Sequence, residues 1–289
     1  MSRRDIITAV PVAFAGDGSL DLEGSREILR FVAASGNEGA FVLGTTGEFP
    51  ALSFEERVAL TQASMQELGG RMRVIVHVGA PSLYEVRRLI DAARDAGATE
   101  IAVITPYYLR ASDEGLFDFY RAVSDAAAGL DVYVYVFRAR TGNFVSAELL
   151  ARIAQLPHIV GAKISDEPLA QIAAYRAEVP DDFILYTGSD RDLAVAADHG
   201  AQGVVSGISS VLPKPFRALR SAAESGDASA LAQAQADVDE AVDAIRGDMG
   251  RMKSAYAELG VAAGVVRMAI DAPDAEEAAL VARAVARLG

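Results

Sequence analysis

This 289-residue chain has three lysines, Lys163, Lys214 and Lys253, while the other 24 of its 27 basic residues are arginine. Lys163 closes the apolar run Ile159-Val160-Gly161-Ala162. Its ammonium must therefore reach water past the end of a strand or be held inside a site. Unlike a guanidinium, a lysine amine can act as a nucleophile. Hydroxyls and arginines gather in comparable places. They lie in GTTGEFP from Gly44 to Pro50, in TPYYLR from Thr105 to Arg110, and in the run from Tyr133 through Tyr135, Arg138 and Arg140 to Gly142. They recur in TGSD (187–190), which holds Gly188 and Asp190, and at the end of the run Val204-Val205-Ser206. One amine, several hydroxyls and no paired carboxylates within the strand-like runs suit carbonyl chemistry through an imine. The amine condenses with a 2-oxo acid, and the protonated imine becomes an electron sink for the adjacent C–C bond. Hydroxyls near the imine move protons, and N–H and O–H donors hold the substrate carboxylate.

Each piece also has a plainer reading. GTTGE could be a Gly-rich turn whose threonines cap the next helix, and Tyr107 and Tyr108 could be rim packing. Tyr135 alternates with Tyr133 and could be core, while Arg138 and Arg140 could be solvated loop charges. Asp166 and Glu167 read as caps of the helix that follows. The functional reading gains because all the pieces occupy the same end of their strands, and that depends on the elements that carry them.

A phrase recurs along the chain: AASGNEGAFVLG (33–44), DAGATEIAVIT (95–105) and DHGAQGVVSG (198–207). Each is a helical segment ending at a glycine, then a short turn, then an apolar run of β-formers. Glycine suits the position just past a helix because it takes positive φ without strain. Unbroken apolar runs fit strands covered on both faces, as in parallel sheets. Strand-like runs fall at 6–12, 41–44, 74–78, 101–105, 132–137, 159–164, 183–187 and 204–206. Amphipathic stretches alternate with them at roughly 22–34, 53–68, 82–96, 113–128, 146–155, 168–178, 190–199 and 213–225. Eight such units predict an α/β fold, a (β/α)8 TIM barrel over residues 1–225. A doubly wound open sheet is the competitor, without the glycine fingerprint it would carry. From 226 to 289 the pattern is helical with no strand, which predicts a C-terminal helical extension packed on the barrel. In a barrel the strand ends and the loops after them form the active face, where the chemistry-bearing residues above all lie.

Composition narrows the class. Hydrophobic residues make 51% and charged residues 23%, as in a soluble globular protein. No apolar run reaches the roughly 18 residues of a membrane span, and the N-terminal stretch is a poor signal peptide, so a cytoplasmic location is expected. With no cysteine, disulfides and thiolate chemistry are excluded. A net charge of −13 disfavours nucleic acid as a partner. The three histidines, His77, His158 and His199, lack metal-ligand spacing, so no metal or other cofactor is expected.

GTTGE, TPYY, Tyr135 with the later RTG, and GAKIS, in this order and spacing, resemble the dihydrodipicolinate synthase / N-acetylneuraminate lyase family over essentially the whole chain. The resemblance implies a barrel with a helical extension, a lysine Schiff base with pyruvate or a related 2-oxo acid, an aldehyde as second substrate, and a homotetramer built as a dimer of dimers. Lys163 matches the Schiff-base lysine, Tyr135 the tyrosine that shuttles protons beside it, and Thr45 the relay threonine. Thr46 matches the threonine that helps hold the pyruvyl carboxylate, and Tyr108 the tyrosine that reaches into a neighbouring subunit's site. Gly44, Gly188, Asp190, Val205 and Ser206 stand at the strand ends as candidate substrate-binding positions. Arg140 keeps a position that binds a carboxylate of the second substrate in the synthases.

The departures matter. Tyr135 is followed by Val136-Phe137-Arg138 where the family commonly has an asparagine and a proline, which removes a rigid turn and places a cation near the substrate mouth. The residue after TPYY is Leu109 rather than the usual asparagine, and SGISS stands where an asparagine often ends the eighth strand. GEFP looks more like relatives acting on 2-oxo-3-deoxy sugar acids or hydroxy-oxo-glutarate. The reading is a lyase that joins or splits pyruvate and an aldehyde, leaning to a catabolic aldolase of oxo acids. The alternatives are dihydrodipicolinate synthase proper, a dehydratase of deoxy sugar acids, and a non-catalytic relative that senses a 2-oxo acid.

Overall fold

Strand and helix alternate because apolar β-formers and amphipathic stretches alternate. In the computed structural model, which describes residues 3–289, eight parallel strands close on themselves in sequence order. They are β1 (Asp5–Ala9), β2 (Gly39–Val42), β3 (Arg73–His77), β4 (Glu100–Ile104), β5 (Asp131–Val136), β6 (Ile159–Ile164), β7 (Ile184–Thr187) and β8 (Gly203–Ser206). The helices of the barrel part are α1 (Leu22–Ala33), α2 (Phe54–Leu68), α3 (Leu83–Asp95), α4 (Asp113–Ala126), a single turn α5 (Arg138–Thr141), α6 (Ala147–Ile153), α7 (Leu169–Glu178) and α8 (Pro213–Ser225). After them come α9 (Ala228–Ile245), α10 (Met249–Glu258) and α11 (Ala275–Leu288). Side-chain caps hold several helix starts: Ser53 and Glu56 form a reciprocal capping box on α2, as do Asp274 and Glu277 on α11. Among the described residues no helix is long and apolar enough to cross a membrane.

The period of two along each strand divides the core. Val132, Val134 and Val136 of β5 pack outward among the helices, whereas Tyr133 and Tyr135 point into the barrel with Ile7, Phe41, Ile75, Ile104 and Tyr186. On β6 the outward positions are Ala162 and Ile164, so the same alternation turns Lys163 inward. Register sets Lys163 directly between Tyr135 of β5 and Tyr186 of β7. A bulge at the start of β6 and the bare Cα of Gly161 make this possible. A Cβ there would lie 2.5 Å from the Ile184 carbonyl oxygen and 2.6 Å from the Tyr133 ring. At the N-terminal pole Arg73 closes the barrel, donating to Glu100 at 2.8 Å and Tyr186 at 2.6 Å and also to Tyr133. The other pole is left for the site.

Two elements differ from the sequence expectation. Residues 190–199 form two short 3₁₀ turns, Asp190–Asp192 and Ala196–His199, instead of an amphipathic helix. Asp190, Asp192, Val195, Asp198 and His199 are weaker helix formers than the alanines and Leu193 between them, and they dilute the helical preference of the segment. The chain after β5 winds into the turn α5, which the apolar pattern did not signal.

Candidate active site

Lys163 is 6% exposed, and its Nζ lies 4.3 Å from the centre of the Tyr135 ring and 4.5 Å from that of Phe41. The amine makes no ion pair or hydrogen bond among the described residues, which leaves it available to a ligand. Tyr135 Oη stands 3.1 Å from Thr45 Oγ1. Edge-on contacts to Phe41 (5.7 Å) and His77 (5.8 Å) fix the tyrosine ring. His77 Nδ1 lies 2.9 Å from the Leu43 carbonyl oxygen, to which it donates. Burial, helped by the Arg57 guanidinium, holds His77 well below its ordinary pKa, so this histidine is neutral and adds no second cation beneath Lys163.

Thr45 and Thr46 open a 3₁₀ turn (Thr45–Gly47) directly after β2. Their backbone N–H groups, the first of the turn, have no partner within it and can serve an anion. Gly44 stands one residue earlier, where a Cβ would lie 2.7 Å from the Phe41 ring, and its carbonyl accepts the Gly47 N–H at 3.0 Å. The role of Gly44 is thus to let the turn sit close against Phe41 rather than to line the site.

A cavity of about 740 Å³ opens above these groups, and Thr45, Thr46, Tyr135, Arg140, Lys163, Gly188, Asp190 and Val205 all line it. Ser206 stands behind and donates its hydroxyl to Asp190. Burial pushes the Asp190 carboxyl up to about 6, against the opposing pull of the Ser206 hydroxyl and the Lys163 charge. A group titrating there can exchange protons near neutral pH or accept hydroxyls.

Arg138, expected near the substrate mouth, is elsewhere, and Tyr108, expected to serve a neighbouring subunit's site, is not at the cavity of its own chain. Arg138 does not line the cavity; its guanidinium lies 5.1 Å from the Phe144 ring. The helical turn α5 separates it from Arg140 by about 200° around the axis, so only one of the two faces inward. Tyr108 is 94% exposed, with φ of 79°, and takes no part in the cavity of its own chain. The turn after Tyr135 is firm without a proline. Thr141 Oγ1 donates to the Phe137 carbonyl at 3.2 Å and accepts from Thr105 Oγ1 at 2.9 Å, and Asn143 Nδ2 reaches the Pro106 carbonyl at 2.6 Å.

Asp166 and Glu167 cap nothing: the N-cap of α7 is Pro168, and both acids line the cavity. Sequence reading also missed Asp192 and the wall supplied from α9, α10 and the residues between them, namely Asp243, Arg246, Met249 and Met252. No motif marks these four, because helix packing alone brings them to the mouth. Arg191 ties that wall to the lip through Asp239 at 2.8 Å and Asp243 at 2.6 Å. Arg140 and Arg246 have no carboxylate partner among the described residues.

The family model of the dihydrodipicolinate synthetase family matches residues 2–287. A 4-hydroxy-tetrahydrodipicolinate synthase of Moorella thermoacetica is 31% identical over 286 residues, spanning 98% of both chains. An uncharacterised DapA-like lyase of Halobacterium salinarum is 33% identical, covering 98% of this chain and 93% of its own. Among solved structures, YagE, a prophage protein of the dihydrodipicolinic acid synthase family from E. coli K12 in complex with pyruvate, superposes with a TM-score of 0.90. It is 26% identical, over 99% of this chain and 98% of that one. The chain belongs to the dihydrodipicolinate synthetase family and is an enzyme of the class I, Schiff-base aldolase type.

Proposed function

We propose that this chain joins or splits pyruvate, or a related 2-oxo acid, and an aldehyde through an imine on Lys163, as an aldolase of 2-oxo-3-deoxy acids or hydroxy-oxo acids. The observation that carries the reading is an unpaired lysine amine beside the Tyr135–Thr45 hydroxyl pair, on the floor of a roomy cavity. In the forward sense Lys163 Nζ adds to the C2 carbonyl; with one proton taken up, the oxygen leaves as water and a protonated imine remains. Thr46, with the N–H groups of the turn, holds the oxo-acid carboxylate. In cleavage, Tyr135 accepts the proton of the C4 hydroxyl as its own passes to Thr45, whose hydroxyl proton goes in turn to water in the open cavity. The C3–C4 electrons move into the imine, the aldehyde departs, and the enamine is protonated at C3 before hydrolysis frees Lys163.

For the aldehyde portion, the carboxylates of Glu167, Asp190 and Asp192 are placed to accept hydroxyls, which favours a polyhydroxylated substrate. Arg140 supports a second reading, 4-hydroxy-tetrahydrodipicolinate synthase, in which it would hold the carboxylate of the second substrate. Exposed Tyr84, Tyr108 and Leu109 support burial against another copy, in keeping with a homotetramer, and the cytoplasm is the proposed location.

The test is reduction with borohydride in the presence of pyruvate, read by intact mass and peptide mapping. One reduced pyruvyl adduct on Lys163 is expected, and Lys163→Arg should abolish it, since a guanidinium stays charged. No added mass, or an adduct on Lys214 or Lys253, would overturn the mechanism.

A further inference from the structure

Glu48, the last residue of GTTGE, is fully buried and held at φ 53°, between the turn that carries Thr45 and the following turn Phe49–Ala51. A buried carboxylate in a left-handed conformation is costly unless its surroundings fix it. They do, and the groups come from the other end of the chain. Lys253 of α10, 4% exposed, brings Nζ to 3.1 Å from Glu48 Oε1 and also donates to the Val265 carbonyl. The backbone N–H groups of Arg267 and Met268 each donate to Glu48 Oε2 at 2.8 Å. Arg267 in turn reaches the Ala51 carbonyl at 2.9 Å and binds Glu56 through both carboxylate oxygens, at 2.6 and 2.8 Å. Phe14 lies beneath both cations, 4.5 Å from Lys253 Nζ and 4.2 Å from the Arg267 guanidinium carbon. The residue before Lys253, Met252, is a wall of the cavity, so one turn of α10 faces the substrate space and grips the catalytic turn together.

We propose that Glu48 is a positioning residue through which Lys253 and the 265–268 segment set the Thr45–Tyr135 hydroxyl pair, so that the C-terminal extension governs proton transfer at the imine rather than formation of the imine. The proposal rests on the Lys163 imine proposed above. Thr45 lies three residues from Glu48 on one short turn, whose cap residue, Gly44, has no side chain with which to hold it. A few tenths of an ångström at the Thr45 hydroxyl would stretch its 3.1 Å contact with Tyr135 toward the limit of a hydrogen bond, whereas Lys163 is fixed independently by β6.

Pyruvate alone separates the two steps. Borohydride trapping reports the imine. Exchange of the pyruvate methyl protons with D2O, followed by NMR, reports removal of a C3 proton, in which the C–H electrons move into the imine to give an enamine. The variant is Glu48→Gln/Lys253→Met, which removes both buried charges together and so avoids leaving one unpaired. Glu48→Gln, in which Lys253 keeps the Val265 carbonyl and can give up its proton, carries the same test if the double variant does not fold. The expected result is adduct formation within about threefold of wild type and methyl exchange slowed about tenfold or more. Unchanged exchange in a folded variant would overturn the proposal and leave the pair a merely structural contact. Equal loss of trapping and exchange would also overturn it, since the whole site would then have been disturbed. Absence of trapping in the wild-type protein is a different result: it removes the imine itself.

Discussion

Asp190→Asn separates what this residue does for the reaction from what it costs the fold. The carboxyl lies in the cavity wall and burial raises its pKa from an ordinary 3.8 to about 6. The unfolded chain therefore releases this proton at lower pH than the folded one. Between those values the folded state holds more protons, so stability falls as pH rises from about 4 toward about 6 and stays reduced above. A shift of about two units corresponds to about 3 kcal/mol, which water in the open cavity trims to about 1–3 kcal/mol at pH 7.5. Asparagine carries no charge and can still accept from the Ser206 hydroxyl. The variant should thus be more stable than wild type at pH 7.5, with Tm higher by about 2–4 °C for each kcal/mol, and the gap should close at pH 4. Thermal unfolding by circular dichroism across that range is the assay. A variant less stable at pH 7.5, or a Tm gap that does not change with pH, would refute an Asp190 carboxyl raised to about 6 in the half-buried cavity wall. Its turnover of a hydroxylated substrate should fall even as the fold gains.

Two further outcomes follow from the site. Tyr135→Phe keeps the ring contacts with Phe41 and His77 but removes the hydroxyl beside Thr45, so turnover should drop by about 10²–10⁴ with the fold intact, and Thr45→Val should fall in the same direction. Steady-state kinetics on the true substrate checks this, and a Tyr135→Phe enzyme within twofold of wild type would contradict the relay. Arg140→Lys should raise KM about tenfold to a hundredfold for an acidic aldehyde, because a lysine cannot reproduce the bidentate fork. Arg138→Ala, outside the cavity, should be silent on every substrate of the same panel; equal kinetics for both variants on all acidic substrates would remove Arg140 from substrate binding.

What could be read from the sequence and what could not divides along physical lines. Strand order and barrel closure were legible because each βα unit is local, with its apolar run, glycine stop and amphipathic helix all within some thirty residues. Lys163 and Tyr135 were legible for a related reason: a strand's alternation fixes which side chains point inward, and parallel pairing then makes them neighbours. The 190–199 segment failed because Leu193 and its alanines gave a helical pattern that the interspersed aspartates and Val195 weaken, and the chain there makes only two short 3₁₀ turns. Arg138 failed because two arginines on one helical turn point apart, and the turn replaced an expected rigid loop.

The least legible part is the cavity wall contributed by the C-terminal helices. Arg246, Met249 and Met252 enter the cavity from a helical region whose sequence shows only composition suited to helices. Their positions depend on how α9 and α10 dock, and that docking is fixed by contacts such as Arg191 with Asp239 and Lys253 with Glu48, made between residues about 50 and 200 apart in the chain. Local pattern carries no information about such pairs. The residues of the proposed imine site sit on strands and the turns directly after them and can be read from short motifs, whereas the wall from α9 and α10 is built by long-range packing. On the proposed mechanism, substitutions in the wall at Arg246 and Met249 should alter the choice of aldehyde while borohydride trapping of pyruvate on Lys163 continues; loss of trapping in such variants would contradict the separation.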